Sequence, residues 1–269
     1  LCSGGLAANH IPRLLSFEVM CLTVQWQANA KNVVSSTESA QADAGISYMA
    51  INLIKGQRID LRKSTGAALS NFCVGVNWGG IVSSGFFGLT KKVEDVDLDL
   101  SAVLLNTGGK ICDYIYSPLY KTEILARFGL PPGKLVAADG ALRHTGDDTE
   151  GDSGEDDGLD NEIITVELPA VPEEVSQIFF FLNNCGNEDF SKIPYAKIRM
   201  FEGSPTHVKE VFASYNVAAE PRYENHRALI MGRLYRHGGD WKFAAIGDAT
   251  EDAFLWETVS RIARLYGNG

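Results

Sequence analysis

The side chains best able to do chemistry are gathered in residues 147–162, DDTEGDSGEDDGLDNE. This run holds nine carboxylates (Asp147, Asp148, Glu150, Asp152, Glu155, Asp156, Asp157, Asp160 and Glu162) and no Lys or Arg. Of the 34 acidic residues in the chain, the other 25 nearly balance its 24 Lys and Arg, so the net charge of −10 resides almost wholly here. Two like charges about 5 Å apart repel by roughly 3 kcal/mol at an effective dielectric near 20. Such a run must either stay extended in water or gather around a cation. Hard divalent cations want oxygen ligands, and calcium takes roughly six to eight of them at about 2.3–2.6 Å in a flexible geometry. Gly151, Ser153, Gly154 and Gly158 would let a loop wrap such an ion. Magnesium is more demanding in geometry, and zinc would want His or Cys, which the run lacks.

The spacing does not fit an EF-hand. With Gly158 at the sixth position the twelfth is Ile164, and with Gly154 there the third is Gly151; neither can act as the required ligand. A solvated linker is the ordinary reading of an acidic run. Against it stands the segment 97–105, DLDLSAVLL, where Asp97 and Asp99 alternate with Leu98 and Leu100. In a strand both carboxylates then point from one face, and a strand pair facing the acidic loop would make an ion cage.

Other candidate sites are weaker. The motifs G-x-S-x-G, H-E-x-x-H, G-x-G-x-x-G and G-x-x-x-x-G-K-[ST] are absent. His144 stands beside the acidic run as a candidate base, although a histidine ending a strand explains it more simply. Arg236 and His237 near Trp241 could form an anion pocket, but a turn at Gly238-Gly239 accounts for them; Ser83-Ser84-Gly85 reads as a loop.

Period-2 alternation and turn punctuation predict the elements that must position these groups. Strands are expected over 51–54, 58–61, 72–78, 97–105, 110–116, 163–168, 177–182, 196–201, 208–215, 228–235 and 241–246. In 72–78 the alternation of Phe72, Val74, Val76 and Trp78 with Cys73, Gly75 and Asn77 predicts a half-buried strand. A helix is expected over 123–128 with Thr122 as its cap, and a second over roughly 251–266 with Leu255, Val259, Ile262 and Tyr266 as its apolar stripe. That stripe packs on the body, although it could also seat a partner or touch a membrane surface. The expected fold is mainly β: a β-sandwich of two mixed sheets with a short inserted helix and a C-terminal helix.

Composition narrows the classes further. A pI near 5.0 argues against nucleic acid, whose affinity comes from Lys and Arg neutralising phosphates. The five cysteines (Cys2, Cys21, Cys73, Cys112, Cys185) show no C-x-x-C pair, which suits reduced thiols in a cytoplasm. No apolar stretch approaches the length of a membrane span. Residues 1–48 read as a poorly ordered leader outside the native domain, with Met49 as the natural start; residues 14–26, LLSFEVMCLTVQW, mimic a secretory signal that Glu18 interrupts.

From Met49 to Tyr266 the chain resembles the tellurium-resistance TerD family of bacterial stress proteins. The resemblance rests on INLIKGQRIDL (51–61), CVGVNW (73–78), DLDLSAVLL (97–105), HTGDD (144–148), LDNEIITVEL (159–168), DFSKIPYAKIR (189–199) and LYRHGGDWKFAAIGD (234–248), in the family's order. It implies a cytoplasmic β-sandwich without catalytic activity that binds one or two calcium ions and partners other stress and tellurium-resistance proteins. By the matching motifs the implied ligands are Asp97, Asp99, Asp147, Asp148, Asp160, Asn161 and Glu162, with Asp157 a further candidate. The chain departs from the family pattern at Gly79, at Asn183-Asn184-Cys185 and in an insertion between Leu119 and Asp139. The first two departures remove carboxylates from the second ion, for which the amide oxygens of Asn183 and Asn184 could compensate. The competing classes are a metal-dependent phosphoester or nucleotide hydrolase, and a module binding a small nucleotide.

Overall fold

The computed structural model describes residues 51–267 apart from 53, 64, 85–90, 154–155 and 219. The expected leader and its signal-like segment lie outside the described residues. In chain order the strands are β1 (Ile51–Asn52), β2 (Arg58–Asp60), β3 (Asn71–Trp78), β4 (Ile81–Ser84), β5 (Lys91–Glu94), β6 (Leu98–Asn106) and β7 (Ile111–Ile115). Helix α1 (Thr122–Arg127) follows, then β8 (Val136–Ala137), β9 (Leu142–His144), β10 (Glu162–Glu167), β11 (Val175–Asn184), β12 (Tyr195–Ser204), β13 (His207–Ala218), β14 (Ala228–His237), β15 (Asp240–Thr250) and helix α2 (Leu255–Tyr266).

Two sheets carry the fold. One runs in the order β1-β13-β12-β3-β10-β9-β8 and the other β2-β15-β14-β11-β6-β7, with β4 and β5 forming a separate hairpin. The first sheet is mixed through the parallel pair β1/β13, while the pairings within the second are all antiparallel. Alternation sets the core between them. Phe72, Val74, Val76 and Trp78 of β3 meet Leu98, Leu100, Ala102 and Leu104 of β6 and Ile178, Phe180 and Leu182 of β11. The intervening residues Val103, Leu105, Phe179 and Phe181 face the other way, under Leu255, Val259 and Ile262 of α2 and Leu125 of α1. Being covered on both faces, β6 and β11 are written as nearly continuous apolar runs.

Strand β3 is more buried than its alternation predicts: every residue from Phe72 to Trp78 is shielded. Phe201 and Ile163 cover Cys73, and the acidic segment itself covers the rest. Asp160 lies on Gly75, where a Cβ would stand 2.3 Å from Asp160 Oδ2. Asn77 Nδ2 donates to the Leu159 carbonyl. The backbone is tied down too, by Asn161 N–H to Val76 O at 2.8 Å, Asp152 N–H to Trp78 O at 2.9 Å and Gly80 N–H to Asp152 O at 2.9 Å. The run is therefore a lid on a sheet face, not a linker.

Several local expectations are corrected. Thr122 is the first residue of α1 rather than its cap; Lys121 occupies that position with no side-chain cap. Helix α2 begins at Leu255 because β15 runs on to Thr250, which pairs with Ala228. Glu257 then satisfies the free N–H groups of Ala253 (2.8 Å) and Phe254 (3.1 Å). Ser83 and Ser84 lie in β4, opposite Lys92 and Lys91. No helix among the described residues is long and apolar enough to cross a membrane.

The fit of Asp160 over Gly75 generates a test. Arg199 Nε holds both Asp160 oxygens at 2.9 Å, so the carboxylate cannot retreat from a methyl group. Gly75→Ala is expected to destabilise the fold by about 1–3 kcal/mol in chemical denaturation. Unchanged stability would show that the acidic segment does not lie on β3.

Candidate metal centre

The two ends of the acidic segment are brought together by β9 and β10, which pair antiparallel with Ile164 opposite His144. Asp147 and Asp148 follow β9, and Glu162 opens β10. Asp97 immediately precedes the other sheet's β6 and Asp99 lies at its start, on the face opposite Leu98 and Leu100. Strand β7 pairs with β6 only from Ala102 onward, which leaves the N–H of Leu100 without a ladder partner on that edge. Glu162, fully buried, reaches across the sandwich and accepts that N–H at Oε2 (2.7 Å), while its Oε1 accepts from the N–H of Asp148 (3.0 Å). One carboxylate thus joins both sheets and the loop.

Around it the acids converge. Carboxylate oxygens of Asp99, Asp147 and Glu162 lie within 4.8 Å of one another, and so do ligand atoms of Asp97, Asp99 and Cys185. Asp99 is buried; its Oδ2 accepts from Cys185 Sγ (2.7 Å) and from the Tyr120 hydroxyl. Oδ1 of Asp97 and Oδ1 of Asp147 are shielded from solvent and have no hydrogen-bond partner among the described residues. No Lys or Arg among the described residues forms an ion pair with any of the four; the basic group present is His144, whose Nε2 stands 3.3 Å from Glu162 Oε2. His144 Nδ1 accepts from the N–H of Gly146 (3.0 Å), so Nε2 carries the proton.

This concentration of charge resists ionisation. Burial, then the charges of Asp147, Glu162 and Asp148, push Asp97 up to about 6. Burial and a hydrogen bond with Asp147 hold Asp99 well above the usual range, against the opposing effect of Cys185 and Tyr120. Glu162 is also raised by burial, offset in part by His144 and the two N–H groups it accepts. Paired acids with unmatched oxygens in a low-dielectric site are stabilised by a cation or by protons. The donor set is oxygen-rich and hard, which fits calcium better than a softer ion.

The remaining expected ligands lie elsewhere. Asp148 adjoins the cluster, but its Oδ1 closes a turn by accepting the N–H groups of Glu150 (3.0 Å) and Gly151 (3.1 Å). Asp157 joins Asp152 and Asp156 in a second, more exposed group within 4.8 Å. There Lys197 already pairs with Asp156, and the Tyr195 hydroxyl donates to Asp152 (2.6 Å). Asn161 is spent on structure: its Oδ1 accepts from the Trp78 N–H (2.9 Å) and its Nδ2 donates to Asp148 (3.2 Å). Asp160 belongs to neither group, being paired with Arg199. Asn184 Oδ1 accepts from the Gly186 N–H (2.8 Å), whereas Asn183 donates Nδ2 to Thr258 (2.9 Å) and keeps a buried Oδ1 with no partner among the described residues. Sequence reasoning passed over Asp152, Asp156, Tyr120 and Cys185 as members of these groups; only the position of Cys185, directly after β11, signalled that it would meet Asp99.

Comparison with known proteins shows the family. Residues 49–260 match the family model of the TerD domain. The chain is 36% identical over 220 residues to stress response protein SCP2 of Bacillus subtilis, covering 79% of this chain and 99% of that protein. It is 31% identical over 207 residues to tellurium resistance protein TerD of Serratia marcescens, covering 74% and 90%. General stress protein 16U of Bacillus subtilis is 31% identical over 229 residues, covering 81% and 98%. The chain belongs to the TerD-domain family.

Proposed function

We propose that the chain is a non-enzymatic, calcium-binding stress-response protein of the cytoplasm, related in role to the tellurium-resistance and stress proteins it resembles. The observation that carries this reading is the unmatched, shielded oxygen on each of Asp97 and Asp147 beside the buried Asp99 and Glu162. These four residues would hold one ion. Asp152, Asp156 and Asp157 would hold a second only on release of Lys197. The bound ion would supply positive charge that cancels the repulsion among the acids. With that repulsion removed, the segment from Asp147 to Glu162 stays closed on β3 and presents a fixed surface to partner proteins.

The thiols argue against direct chemistry on tellurite. Cys73 is pushed up to about 11 by burial and then by Asp160; burial also raises Cys112 and Cys185, the latter further by Asp99. All three are free and protonated at neutral pH, which suits a reducing compartment but makes them poor nucleophiles. A hydrolase would need a base open to water near the ion, and the His144 side chain is buried, with Nδ1 accepting from the N–H of Gly146 and Nε2 3.3 Å from Glu162.

Titration calorimetry of chelator-treated protein should show calcium uptake with a rise in melting temperature, equivalent to about 2.7 kcal/mol at a hundredfold excess over Kd. Asp99→Asn should abolish both. Absence of heat and of any shift in the wild-type protein would remove the proposal.

The pH dependence has a definite sign. Asp97 in the folded protein titrates at about 6, above the roughly 3.9 of an unfolded chain. The native state therefore binds the extra proton between those values, and ionised Asp97 lowers stability as pH rises through 6. In chelator, Asp97→Asn should be more stable than wild type at pH 7.5, and the gap should close as pH falls through 6 toward 4. In saturating calcium the order should reverse. A gap that is independent of pH and of calcium would contradict the assignment.

A further inference from the structure

The end of the sandwich away from the metal centre carries a cavity of its own. Strand β3 starts there, after Ser70, and ends at Trp78 under the acidic segment; β10 opens at Glu162 and returns to Leu168. Beside the β14–β15 hairpin these ends line a cavity of about 370 Å³, within the range of about 300–1,000 Å³ typical of small-molecule sites. Leu61, Leu69 and Leu168 bring the edge of the core into its lining. Arg62, Arg236 and Lys242 stand there against Asp60 and Asp240, an excess of one positive charge in a chain that carries −10. Of the two residues that the sequence offers as an anion pocket, Arg236 belongs to this lining. His237 sets its ring against Tyr235 instead, with centroids 6.3 Å apart.

Arg236 is the fixed donor. Its Nε donates to the Val175 carbonyl (2.8 Å) and its Nη2 to those of Val171 (3.1 Å) and Pro172 (3.2 Å). The guanidinium also lies over the Trp241 ring, 4.5 Å from its centroid. Held in this way, it loses little freedom on meeting a ligand. Nη1 has no hydrogen bond among the described residues and is not one of the shielded atoms that lack a partner, so it is open to solvent. Arg62, an exposed residue, uses only Nη1, on the Gly66 carbonyl (3.0 Å). Neither guanidinium has a carboxylate partner among the described residues, whereas Lys242 is matched by Asp60 (3.1 Å). Asp240, which forms no ion pair among the described residues, opposes a second negative charge. A single carboxylate therefore fits the cavity better than a phosphate group, which carries about −1.5 to −2 at pH 7.

We propose that this cavity binds a small monocarboxylate with an apolar body, the carboxylate meeting Arg236 Nη1 and the Arg62 guanidinium and the body lying along the leucines at the edge of the core. The site is separate from the metal centre and goes beyond the calcium reading. The test is a nuclear magnetic resonance titration of the isotope-labelled full chain with phenylacetate. Phenylacetamide, its neutral counterpart, and phenyl phosphate, which carries more charge, serve as comparators. Phenylacetate should saturably shift the Trp241 indole and Arg236 Nε–H signals, with Kd on the order of 0.1–10 mM for a ligand this small. Phenylacetamide should bind at least about tenfold more weakly, as the loss of a charge-assisted hydrogen bond requires. Phenyl phosphate should also bind more weakly than phenylacetate. Arg62→Gln, a change at an exposed position, should weaken phenylacetate about threefold and leave phenylacetamide unchanged. Arg236→Gln should weaken phenylacetate at least about tenfold. Equal binding of phenylacetate and phenylacetamide by the wild-type chain, tighter binding of phenyl phosphate, absence of a shift at Trp241 and Arg236, or full phenylacetate affinity in Arg62→Gln would overturn the proposal. The wild-type comparison decides the matter even if Arg236→Gln, which loses its bonds to the backbone, fails to fold.

Discussion

Four carboxylates, Asp97, Asp99, Asp147 and Glu162, meet where the two sheets come together, with no Lys or Arg ion pair among the described residues to neutralise them. That constraint governs the rest of the structure. Glu162 cannot leave, because it is the acceptor for the Leu100 N–H across the sandwich and for the Asp148 N–H in the loop. Asp99 is fixed by its place in β6, held between Tyr120 and Cys185. The fold therefore holds the acids in place, and burial first, with neighbouring acids adding to it at Asp97 and Asp99, raises their proton affinity. A buried group of this kind is kept by a protein when its charge is matched by a bound partner.

The rest of the acidic segment is arranged to spend its charge locally. Asp160 is matched by Arg199, Asp156 by Lys197, and Asp148 by two loop N–H groups. Asn161 donates to Asp148, beside the first acid group, and to Asp152 of the second, and its Oδ1 ties the segment to the Trp78 N–H. What is left without a match is the set nearest β6. The division between neutralised and unneutralised acids, more than their number, defines the candidate centre.

Much of this was legible in the sequence, and the limits have physical reasons. Alternation placed β3 and its inward face, while turn punctuation bounded the apolar stretches of β6 and β11. The pairing of Asp97 with Asp99 followed from the same rule. The second face of β3 was not legible, since its cover comes from the acidic segment folding back, a contact between residues far apart in the chain. The pairing of Asp160 was not legible for a related reason: its partner Arg199 is 39 residues away and nothing local marks the pair. The hairpin of β4 and β5 and the two-residue β8 are too short to carry a periodic signal, and Thr122 was read as a cap because propensity alone does not register where the backbone turns. The inserted helix α1 was expected, but its consequence was not. It brings Tyr120 onto Asp99 and closes a cavity against α2.

The most direct test of the central claim is the anomalous scattering of a crystal grown with calcium. The account predicts a peak bounded by Asp97, Asp99, Asp147 and Glu162, with coordination distances of about 2.3–2.6 Å. A well-ordered crystal showing those four side chains with no peak between them would contradict it.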